Sequence, residues 1–557
     1  MSDPRVVERV DVWRVLVNHF FRRFFDNDTI QVEGDTQTTV VRALSMTAVP
    51  GLMVAFWSQS HAPHRPPAEL VKQHYFFVLL SFVVMGIVAL FELEMLFPDR
   101  LDFLVLSPLS LKPRQVLSAK GAALLIFVGM FLGATNLFGE LILPAVSGGA
   151  VWHQVLAHGV ATLMAGTFAS LFFLALGSVL LSVFGAAQLR WISPLIRMLA
   201  ICGLVLLVLH YVLLGDFLLA MLQESHAWMR WLPPVWFLGL YEQLLQGSAA
   251  PAFAAPMARV ALWATVASVA VAVLSYPLAW VRARRAAIEG VTARRLGAWP
   301  WTERLVHLVI RQPGERAVFA FIRQTLARSN RYQVYLAMYC GTGLAFAMAC
   351  GVSVHLQSKH VYLGLSPYGL YAIVPLMIFW IIAGLRAAFG LPVNLQAGWI
   401  FRVTGVMLRE CAAAARSWAM MSSLAMLACI LVILHGLGWD ARRLFVQAGT
   451  GFCLALLLSN AFFFAPDHVP FNKPRMPGKS SFVLLLTLYF GALPPFIFIM
   501  IDIEKEVEQK LTRAIGWSIF TAVVWGLMEW RRRRSPVLEE DTAEYSGEYL
   551  LLGLSQQ

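Results

Sequence analysis

Residues 91–120 read FELEMLFPDRLDFLVLSPLSLKPRQVLSAK, a polar-rich stretch between two long apolar runs. The stretch holds paired acids, a Pro-Asp-Arg turn and a Lys-Pro-Arg group. Charged side chains are expensive at membrane depth. The pattern therefore predicts two membrane-spanning helices joined by a segment that lies at a membrane face.

A second stretch has the same organisation. Residues 384–416 read GLRAAFGLPVNLQAGWIFRVTGVMLRECAAAAR and also follow an apolar run. They contain a Pro-centred turn, a short amphipathic piece formed by Leu395, Trp399, Ile400 and Val403, and basic residues before the next apolar run. Two such segments, about half a chain apart, predict an internally duplicated membrane protein with two matched cytoplasmic contact points.

The composition is that of a chain that mostly lies in lipid. Of the 557 residues, 59% are hydrophobic and only 14% are charged, and the mean hydropathy is +0.67. Apolar runs of about 20 residues suit spanning helices and are too long for barrel strands. The sequence predicts an all-α polytopic protein with about twelve transmembrane helices, in two pseudo-repeated six-helix halves with interfacial amphipathic helices.

The predicted spans and domains can be given by their boundaries. The spans are Val40–Trp57, Tyr75–Phe97, Gly121–Leu143, Val155–Phe184, Leu195–Leu222, Met257–Val281, Val334–Val354, Tyr368–Phe389, Trp418–Leu437, Leu444–Phe464, Phe482–Ile501 and Ala514–Trp530. The predicted domains are an interfacial helix region (1–39), a first six-span half (40–281), a basic cytoplasmic linker with a second interfacial helix (282–333), a second six-span half (334–530) and a cytoplasmic tail (531–557).

The positive charges predict the orientation. The net charge is +12, and most Lys and Arg residues fall on one side when the predicted spans are threaded through a membrane. Basic residues flanking spans are retained in the cytoplasm. Both termini are therefore expected inside the cell (inner or plasma) membrane, with Arg531–Arg534 as a lipid-headgroup anchor and not a nucleic-acid site.

Two segments have the periodicity of helices that lie in the membrane interface. Apolar residues recur at three- and four-residue spacing near the amino terminus and again before the seventh span, with arginines on the other faces. The first set is Val6, Val10, Trp13, Val17, Phe20 and Phe24, and the second is Val318, Phe321, Ile322, Thr325 and Leu326. A helix packed on a soluble partner is the alternative for the first of them.

The sequence offers little support for a metal or disulfide site. The six cysteines lie in or beside apolar runs without a CxxC pair, so they are expected to pack as small apolar residues. His61, His64 and His74 accompany Glu69 in a Pro-rich segment, residues 58–74. We expect this segment to be a wet, irregular outer loop without a metal.

The segment between the fifth and sixth spans has short apolar pieces interrupted by two prolines. Pro233 and Pro234 break any continuous helix, while Trp231 and Trp236 suit the headgroup level. Two short helices that dip into the outer leaflet are expected here.

Together these features resemble the permease subunits of ABC transporters of the type-2 (ABC-2) exporter class. The resemblance depends on the amphipathic helix over residues 5–25, the loop around Pro98-Asp99-Arg100 that ends at Ala119-Lys120, and LPPVWFLGLYEQLL before the sixth span. In the second half it depends on Leu391-Pro392 through Trp399-Ile400-Phe401-Arg402. The family commonly has six spans per chain, whereas two halves are fused here, and the second half lacks the outer Pro-Pro-x-Trp segment.

The resemblance implies coupling helices that dock on separate cytoplasmic ABC ATPase subunits. The residues implied in this contact are Pro98, Asp99, Arg100, Asp102 and Phe103 in the first half and Pro392, Asn394, Trp399 and Arg402 in the second. Membrane lipid and a second permease or accessory subunit are further candidate partners, and no nucleic acid is expected.

The chain carries no phosphate-binding motif of its own. Gly478-Lys479-Ser480 lacks the first glycine of a P-loop, so ATP and Mg²⁺ are expected in the partner ATPase and no enzyme activity or cofactor in this chain. Glu92 and Glu94 lie near the inner end of the second span, where they predict a salt-bridge lattice with basic residues of the loop or, alternatively, a group on the transport pathway.

Other functions remain open from the sequence. A secondary carrier could use the same duplication, and a polytopic enzyme acting on lipids would need clustered catalytic groups, for which the acids at 92, 94, 99 and 102 are nearest. A structural subunit of a larger membrane complex is the third alternative. Few interior charges are compatible with a lipid, a lipid-linked sugar or an amphipathic drug as substrate.

Overall fold

A computed structural model of the chain describes most of its residues. The described residues are 11–25, 36–60, 67–93, 97, 106, 108–109, 111–146, 150–215, 218–223, 227–289, 307, 310–357, 360–391, 401, 403–404, 406–464, 469–472 and 482–534.

Helices dominate the described part of the chain. The first eight are α1 (Val12–Phe25), α2 (Thr36–Ser60), α3 (Pro67–Glu92), α4 (Pro113–Val146), α5 (Val151–Leu214), α6 (Leu218–Gln223), α7 (Pro233–Gln246) and α8 (Ala254–Glu289). The next seven are α9 (Pro313–Arg328), α10 (Asn330–Gly351), α11 (Pro367–Phe389), α12 (Leu408–Gly436), α13 (Ala441–Phe462), α14 (Phe482–Gln509) and α15 (Leu511–Arg534). Two strands, β1 (Val352–Gln357) and β2 (His360–Leu365), form a small sheet between α10 and α11.

Nine helical segments among the described residues are long and apolar enough to cross a membrane. They are Ala68–Glu92, Arg114–Pro144, Val151–Gly185, Ile192–Leu214, Ala254–Ala286, Asn330–Gly351, Pro367–Phe389, Leu408–Gly436 and Ala441–Phe462. In lipid every backbone N–H and C=O must be paired within the protein, which a helix achieves by itself. The chain is an all-α, multi-pass membrane protein, as the sequence predicted.

The structure shows the class of the fold but does not show the predicted number of spans. Three of the predicted spans fall on α2, which holds a shorter apolar helical run, Ala43–Phe56, and on α14 and α15, which are not among the nine. The predicted total of twelve therefore stays a prediction.

Helix α5 contains the fourth and fifth predicted spans in one element. Gly185 breaks the helical path within it, with φ 74° and ψ 168°. A residue with a side chain is strained at such a positive φ, which glycine adopts readily. The turn between the two spans is thus a kink at one glycine and not the separate loop that the sequence boundaries implied.

Strand β1 begins before the predicted end of the seventh span. That span was expected to end at Val354, whereas α10 ends at Gly351 and Val352 begins a strand. The run VSVHLQ is rich in alternating β-branched and polar residues, which favours a strand over a helix. Residues 352–357 and 360–365 therefore form two paired strands and not part of a spanning helix.

The chain divides into two compact units. The first consists of Met1–Arg294, Leu344–Gly364 and Arg475–Thr487, and the second consists of Arg295–Gly343, Leu365–Pro474 and Leu488–Gln557. The predicted domain boundaries differ in detail from these units, and their functional meaning stays a prediction.

Within the first unit, the long helix α5 is central. It packs against α3, α4, α7 and α8, while α1 and α2 both pack against α4. Phe20 and Phe24 of α1 are buried, and the Phe24 ring lies 5.1 Å from that of Phe127 on α4. The apolar periodicity of the amino-terminal segment thus fixes a helix on the surface of this bundle.

In the second unit, α9 precedes the long helices of the bundle, as α1 does in the first unit. It packs against α12, which also contacts α11 and α13. The buried face of α9 consists of Val318, Phe319, Ile322 and Leu326, and the Phe319 ring lies 5.0 Å from that of Trp418 on α12. Val318, Ile322 and Leu326 of the predicted pattern are thus buried together with Phe319, whereas Phe321 and Thr325 are only partly buried.

Candidate functional sites

Most residues of the two predicted coupling segments lie outside the described residues. They are Pro98, Asp99, Arg100, Asp102, Phe103, Pro392, Asn394, Trp399 and Arg402. Their part in a docking surface stays a prediction, and the structure reports only on the residues that flank them.

The flank of the first segment is fixed by a buried lysine. Lys120 of α4 is 4% exposed, and its Nζ donates a 3.0 Å hydrogen bond to the carbonyl oxygen of Phe97. The ammonium group also lies 5.4 Å from the ring centroid of Phe20 on α1 and 5.7 Å from that of Trp280 on α8. Aromatic faces attract a cation at such distances. One lysine thus joins three helices to the residue just before Pro98.

The flanks of the second segment are held by aromatic contacts and one backbone acceptor. The hydroxyl of Tyr332 donates a 2.9 Å hydrogen bond to the carbonyl of Leu391. At the other side, the ring of Phe401 lies 5.2 Å from that of Phe321 on α9. The amphipathic helix α9 therefore contacts a residue of the predicted coupling segment directly.

The acids predicted near the first segment have separate outcomes. Glu92, at the end of α3, is 2% exposed, whereas Glu94 lies outside the described residues. Burial of a carboxylate at this depth is costly without compensating partners. Whether Glu92 serves the predicted salt-bridge lattice or a pathway stays open.

In the segment predicted to lie at the outer face, the two prolines begin a helix. Pro233 and Pro234 occupy the first turn of α7, a position that requires no N–H donor. Trp231, in a short 3₁₀ turn (Ala227–Trp231), is 81% exposed, and the indole of Trp236 donates to the carbonyl of Arg230 at 2.7 Å. In the described part of this segment, a 14-residue α-helix lies between two 3₁₀ turns, Ala227–Trp231 and Gly247–Ala249, where two short helices were expected.

A cluster of buried polar side chains lies in the first unit. One of its members, His74, falls in the segment for which the sequence predicted a wet loop. His74 is part of α3, is 4% exposed and lies with Nδ1 2.7 Å from Oε1 of Glu242 on α7. Glu242 is fully buried, and its other oxygen accepts from Nε2 of Gln246 at 2.7 Å. The irregular-loop prediction for residues 58–74 was therefore wrong at both ends, since α2 extends to Ser60 and α3 begins at Pro67, while residues 61–66 lie outside the described residues.

Tyr241 connects this pair with a second histidine. Its ring stacks on that of His74 with 4.1 Å between centroids, and its hydroxyl lies 3.4 Å from Nδ1 of His158 on α5. Nε2 of His158 lies 4.0 Å from Oε2 of Glu140 on α4. Four helices thus contribute titratable groups to one cluster, which we call the first polar cluster: His74, Glu140, His158, Tyr241, Glu242 and Gln246.

Small residues make this close packing possible. A Cβ on Gly139 would lie 2.8 Å from Nε2 of His158, and a Cβ on Gly159 would lie 3.1 Å from Oε1 of Glu140. On α7, a Cβ on Gly239 would lie 2.9 Å from the carbonyl oxygen of Ala254, at the start of α8. Glycine at these three positions leaves space for the polar side chains and for α7 to approach α8.

The second unit has a polar cluster of its own. Glu504 on α14 is fully buried and accepts from Nε2 of Gln447 at 2.5 Å and from Oγ1 of Thr450 at 3.5 Å, both on α13. One turn further, Glu508 accepts from the hydroxyl of Tyr371 on α11 and from Nε of Arg443 at 3.1 Å. We call these residues, Tyr371, Arg443, Gln447, Thr450, Glu504 and Glu508, the second polar cluster.

Each cluster occupies the end of its unit that is remote from the amphipathic helix. In the first unit α1 packs near the start of α4, at Ser118 and Phe127, whereas Glu140 lies near the end of α4. In the second unit α9 packs near the start of α12, whereas Gln447 and Tyr371 lie near the starts of α13 and α11. The two units therefore share an internal arrangement of amphipathic helix, bundle and polar cluster.

The chemistry available to these clusters is acid–base chemistry and hydrogen bonding. Burial raises the pKa of the Tyr241 phenol well above its ordinary value, with the Glu242 carboxylate adding to the effect. Burial likewise raises the pKa of Glu504, and the hydrogen bonds from Gln447 and Thr450 oppose it only in part. Among the described residues, no three His, Cys, Asp or Glu side chains are grouped so as to hold a metal ion.

Sequence reasoning missed both clusters as sites. Glu242 was overlooked, although an acid inside the apolar, proline-started run PPVWFLGLYEQLL is a recognisable signal. The segment DIEKEVEQK, residues 502–510, is highly charged, yet α14 continues through it to Gln509. Two of its four acids, Glu504 and Glu508, are four residues apart, which places both on one helix face.

Comparisons with known proteins do not assign the chain to a family. No protein-family model matches the chain, and no curated protein and no solved structure matches it either. The chain is an all-α, multi-pass membrane protein, and its function has to be argued from its own residues.

Proposed function

We propose that the chain is the membrane-spanning permease component of an ATP-driven exporter of the ABC-2 type, moved by separate cytoplasmic ATPase subunits. The observation that carries the proposal is the repeated docking of an amphipathic helix beside a predicted coupling segment. In the first unit α1 packs on α4, the next long helix after residues 98–106, and in the second α9 packs on α12, the next long helix after residues 392–401.

The contacts of α1 and α9 would transmit force from the coupling segments to the helix bundles. Lys120 ties the carbonyl of Phe97 to α1 and α8, and Phe401 rests on Phe321 of α9. A push on either coupling segment would pass into a packed helix bundle. Packed bundles move as rigid bodies because their interiors resist gradual deformation.

The mechanism that follows needs no nucleotide site in this chain. The ATPase subunits bind ATP with Mg²⁺, close, and press on the two coupling segments. The resulting rigid-body shift of the spans opens a path for an apolar or amphipathic substrate. The basic residues flanking the spans orient the chain in the cell (inner or plasma) membrane with both termini in the cytoplasm, and the carboxyl-terminal Arg531–Arg534 of α15 anchors in lipid headgroups.

The test is magnesium-dependent ATP hydrolysis that copurifies with the chain from its native membranes. The proposal predicts such activity with the unaltered chain and its loss on charge reversal by Asp99→Lys or Arg100→Glu, with membrane insertion intact. The matched control is Asp440→Lys, an exposed acid at the start of α13, at the opposite end of its unit from α9. Activity retained with Asp99→Lys, or absent from every preparation, would overturn the proposal.

A secondary carrier is the second candidate, and one observation favours it. Glu242 and Glu504, one in each unit, are both fully buried and both accept from a glutamine side chain. Buried carboxyl groups within a membrane bundle are the usual proton sites of such carriers. This candidate predicts proton uptake by reconstituted vesicles under a pH gradient without ATP, and its loss in Glu242→Gln and Glu504→Gln.

A further inference from the structure

One member of the first polar cluster is a fully buried histidine with an unused ring nitrogen. His158 is 0% exposed, and its Nδ1 lies 3.4 Å from the hydroxyl of Tyr241. Its Nε2 makes no hydrogen bond within the described part of the chain. A buried polar atom without a partner costs free energy, so its retention calls for a reason.

The atom that Nε2 faces is a carboxyl oxygen. Oε2 of Glu140 is 4.0 Å away, and the Glu140 side chain is 29% exposed while that of His158 is fully buried. An approach of about 1 Å would bring the two atoms within hydrogen-bond distance. The Glu140 carboxyl group is thus partly exposed and also faces the buried Nε2 atom of His158.

The surroundings are shaped for this approach. A Cβ on Gly139 would lie 2.8 Å from Nε2 of His158, and a Cβ on Gly159 would lie 3.1 Å from Oε1 of Glu140. Glycine at both positions leaves the space between the imidazole and the carboxyl clear. The ring of Phe77 lies 5.2 Å from that of His158 and closes the apolar side of the pair.

We infer that Glu140 and His158 form a proton-binding site at the end of the first unit that is remote from α1. The bound species is one proton, taken from water onto Oε2 of Glu140, and its O–H group donates to Nε2 of the neutral imidazole. Nδ1–H of the same ring then donates to the Tyr241 oxygen. The site gains one positive charge relative to the carboxylate form, and no covalent bond other than O–H forms or breaks.

Among the described residues, the titratable side chains linked to His158 through Tyr241 come from α3 and α7. His74 on α3 is paired with Glu242 on α7, and Tyr241 of α7 lies between this pair and His158. Lys72 of α3 has its ammonium group 5.8 Å from the ring of Tyr211. Since His74 is paired with Glu242, its imidazole is engaged away from Glu140.

The test is infrared difference spectroscopy of the full chain reconstituted in zwitterionic lipid, between about pH 4 and about pH 9. The inference predicts a protonated-carboxyl C=O band that titrates and is lost in Glu140→Gln. In His158→Gln the band remains, and its midpoint shifts by at least about half a pH unit because the acceptor has changed. Glu69→Gln, an acid in the first turn of α3, serves as control and leaves the band and its midpoint unchanged.

Two results would overturn the inference. One is a carboxyl band that is unaltered in Glu140→Gln, and the other is an unaltered midpoint in His158→Gln. Should Glu140→Gln fail to give a monodisperse protein, Glu140→Asp supplies the same test, since a shorter carboxyl in the site must shift the band or its midpoint. An unshifted band in the aspartate variant counts against the site equally.

Discussion

Nδ1 of His74 lies 2.7 Å from Oε1 of Glu242, although the two residues are 168 positions apart in the chain. The contact joins α3, a spanning helix, to α7, a short helix with no span of its own. Both side chains are buried. A buried pair of this kind fixes which residues of α7 face α3, because neither group can be left alone in the interior.

We expect the loss of either partner to be costly and the two losses to overlap. His74→Ala and Glu242→Ala should each lower the free energy of unfolding by about 3–5 kcal/mol, since each leaves a buried polar group uncompensated. The double variant should depart from additivity by about 0.5–3 kcal/mol. Denaturant unfolding of the detergent-solubilised protein measures all four states.

The control for that cycle is Trp231→Ala. Trp231 is 81% exposed in the same segment, so its truncation should change stability by no more than about 0.5 kcal/mol. Strict additivity of His74→Ala and Glu242→Ala would contradict an energetic link between α3 and α7.

Glu504 should make stability fall as pH rises. Burial raises its pKa above the unfolded value, so the native state binds more protons than the unfolded state between the two pKa values. Stability contributed by this group is therefore present below the unfolded pKa and is lost as pH rises towards the folded pKa, by up to about 1.4 kcal/mol per pH unit.

Thermal unfolding at a series of pH values checks this sign. Glu504→Gln keeps a polar group of the same shape but cannot ionise, so its unfolding temperature should fall less on the alkaline side than that of the unaltered chain. Glu506→Gln is the matched control, because Glu506 pairs with Arg513 at 2.9 Å while being more than half exposed. Parallel pH profiles for the unaltered chain and Glu504→Gln would be the contrary outcome.

The class of fold could be predicted because it depends on composition and run length. Apolar runs such as that of α3 and the spacing of Val318, Ile322 and Leu326 in α9 are local signals, and the structure confirms both. Local signals can mark single members of the polar clusters, such as Glu242, but not which side chains meet. His74 meets Glu242 only through the packing of α3 on α7, which no local pattern encodes.

Some of the errors had local causes that can be named. Pro66 and Pro67 suggested a loop, yet a proline in the first turn of a helix needs no N–H donor, and α3 begins at Pro67. The acids at 504 and 508 lie in a highly charged segment, yet neutral and basic partners on another helix compensate them. Charge alone therefore did not separate a wet loop from a buried, satisfied helix end.

Gly314 should be required for the observed position of the Glu410 side chain. A Cβ on this residue would lie 2.5 Å from Cδ of Glu410, whose carboxylate accepts from the backbone N–H of Met407 at 3.1 Å. The carboxyl group is the far end of a flexible side chain, so Gly314→Ala should turn it aside and break the bond to Met407. We expect faster hydrogen exchange at the start of α12 and destabilisation of about 0.5–1.5 kcal/mol.

The same substitution in a shortened background separates crowding from other causes. With Glu410→Ala already present, the added methyl group meets no carboxyl group, and Gly314→Ala should cost less than in the unaltered chain. An equal cost in both backgrounds would show that the Glu410 contact is not what makes glycine necessary.

Lys120→Met provides a test of the lever through the contact that the structure shows. Methionine keeps the length and apolar body of the side chain but loses the 3.0 Å hydrogen bond to the Phe97 carbonyl and the attraction to the rings of Phe20 and Trp280. If the first coupling segment transmits force through this anchor, copurifying ATP hydrolysis should fall several-fold while the variant still inserts and remains monodisperse.

The control is Lys112→Met. Lys112 is exposed and lies just before the start of the same helix, so this variant should retain full activity. Equal activity in the two variants would place the force-bearing contact elsewhere than at Lys120.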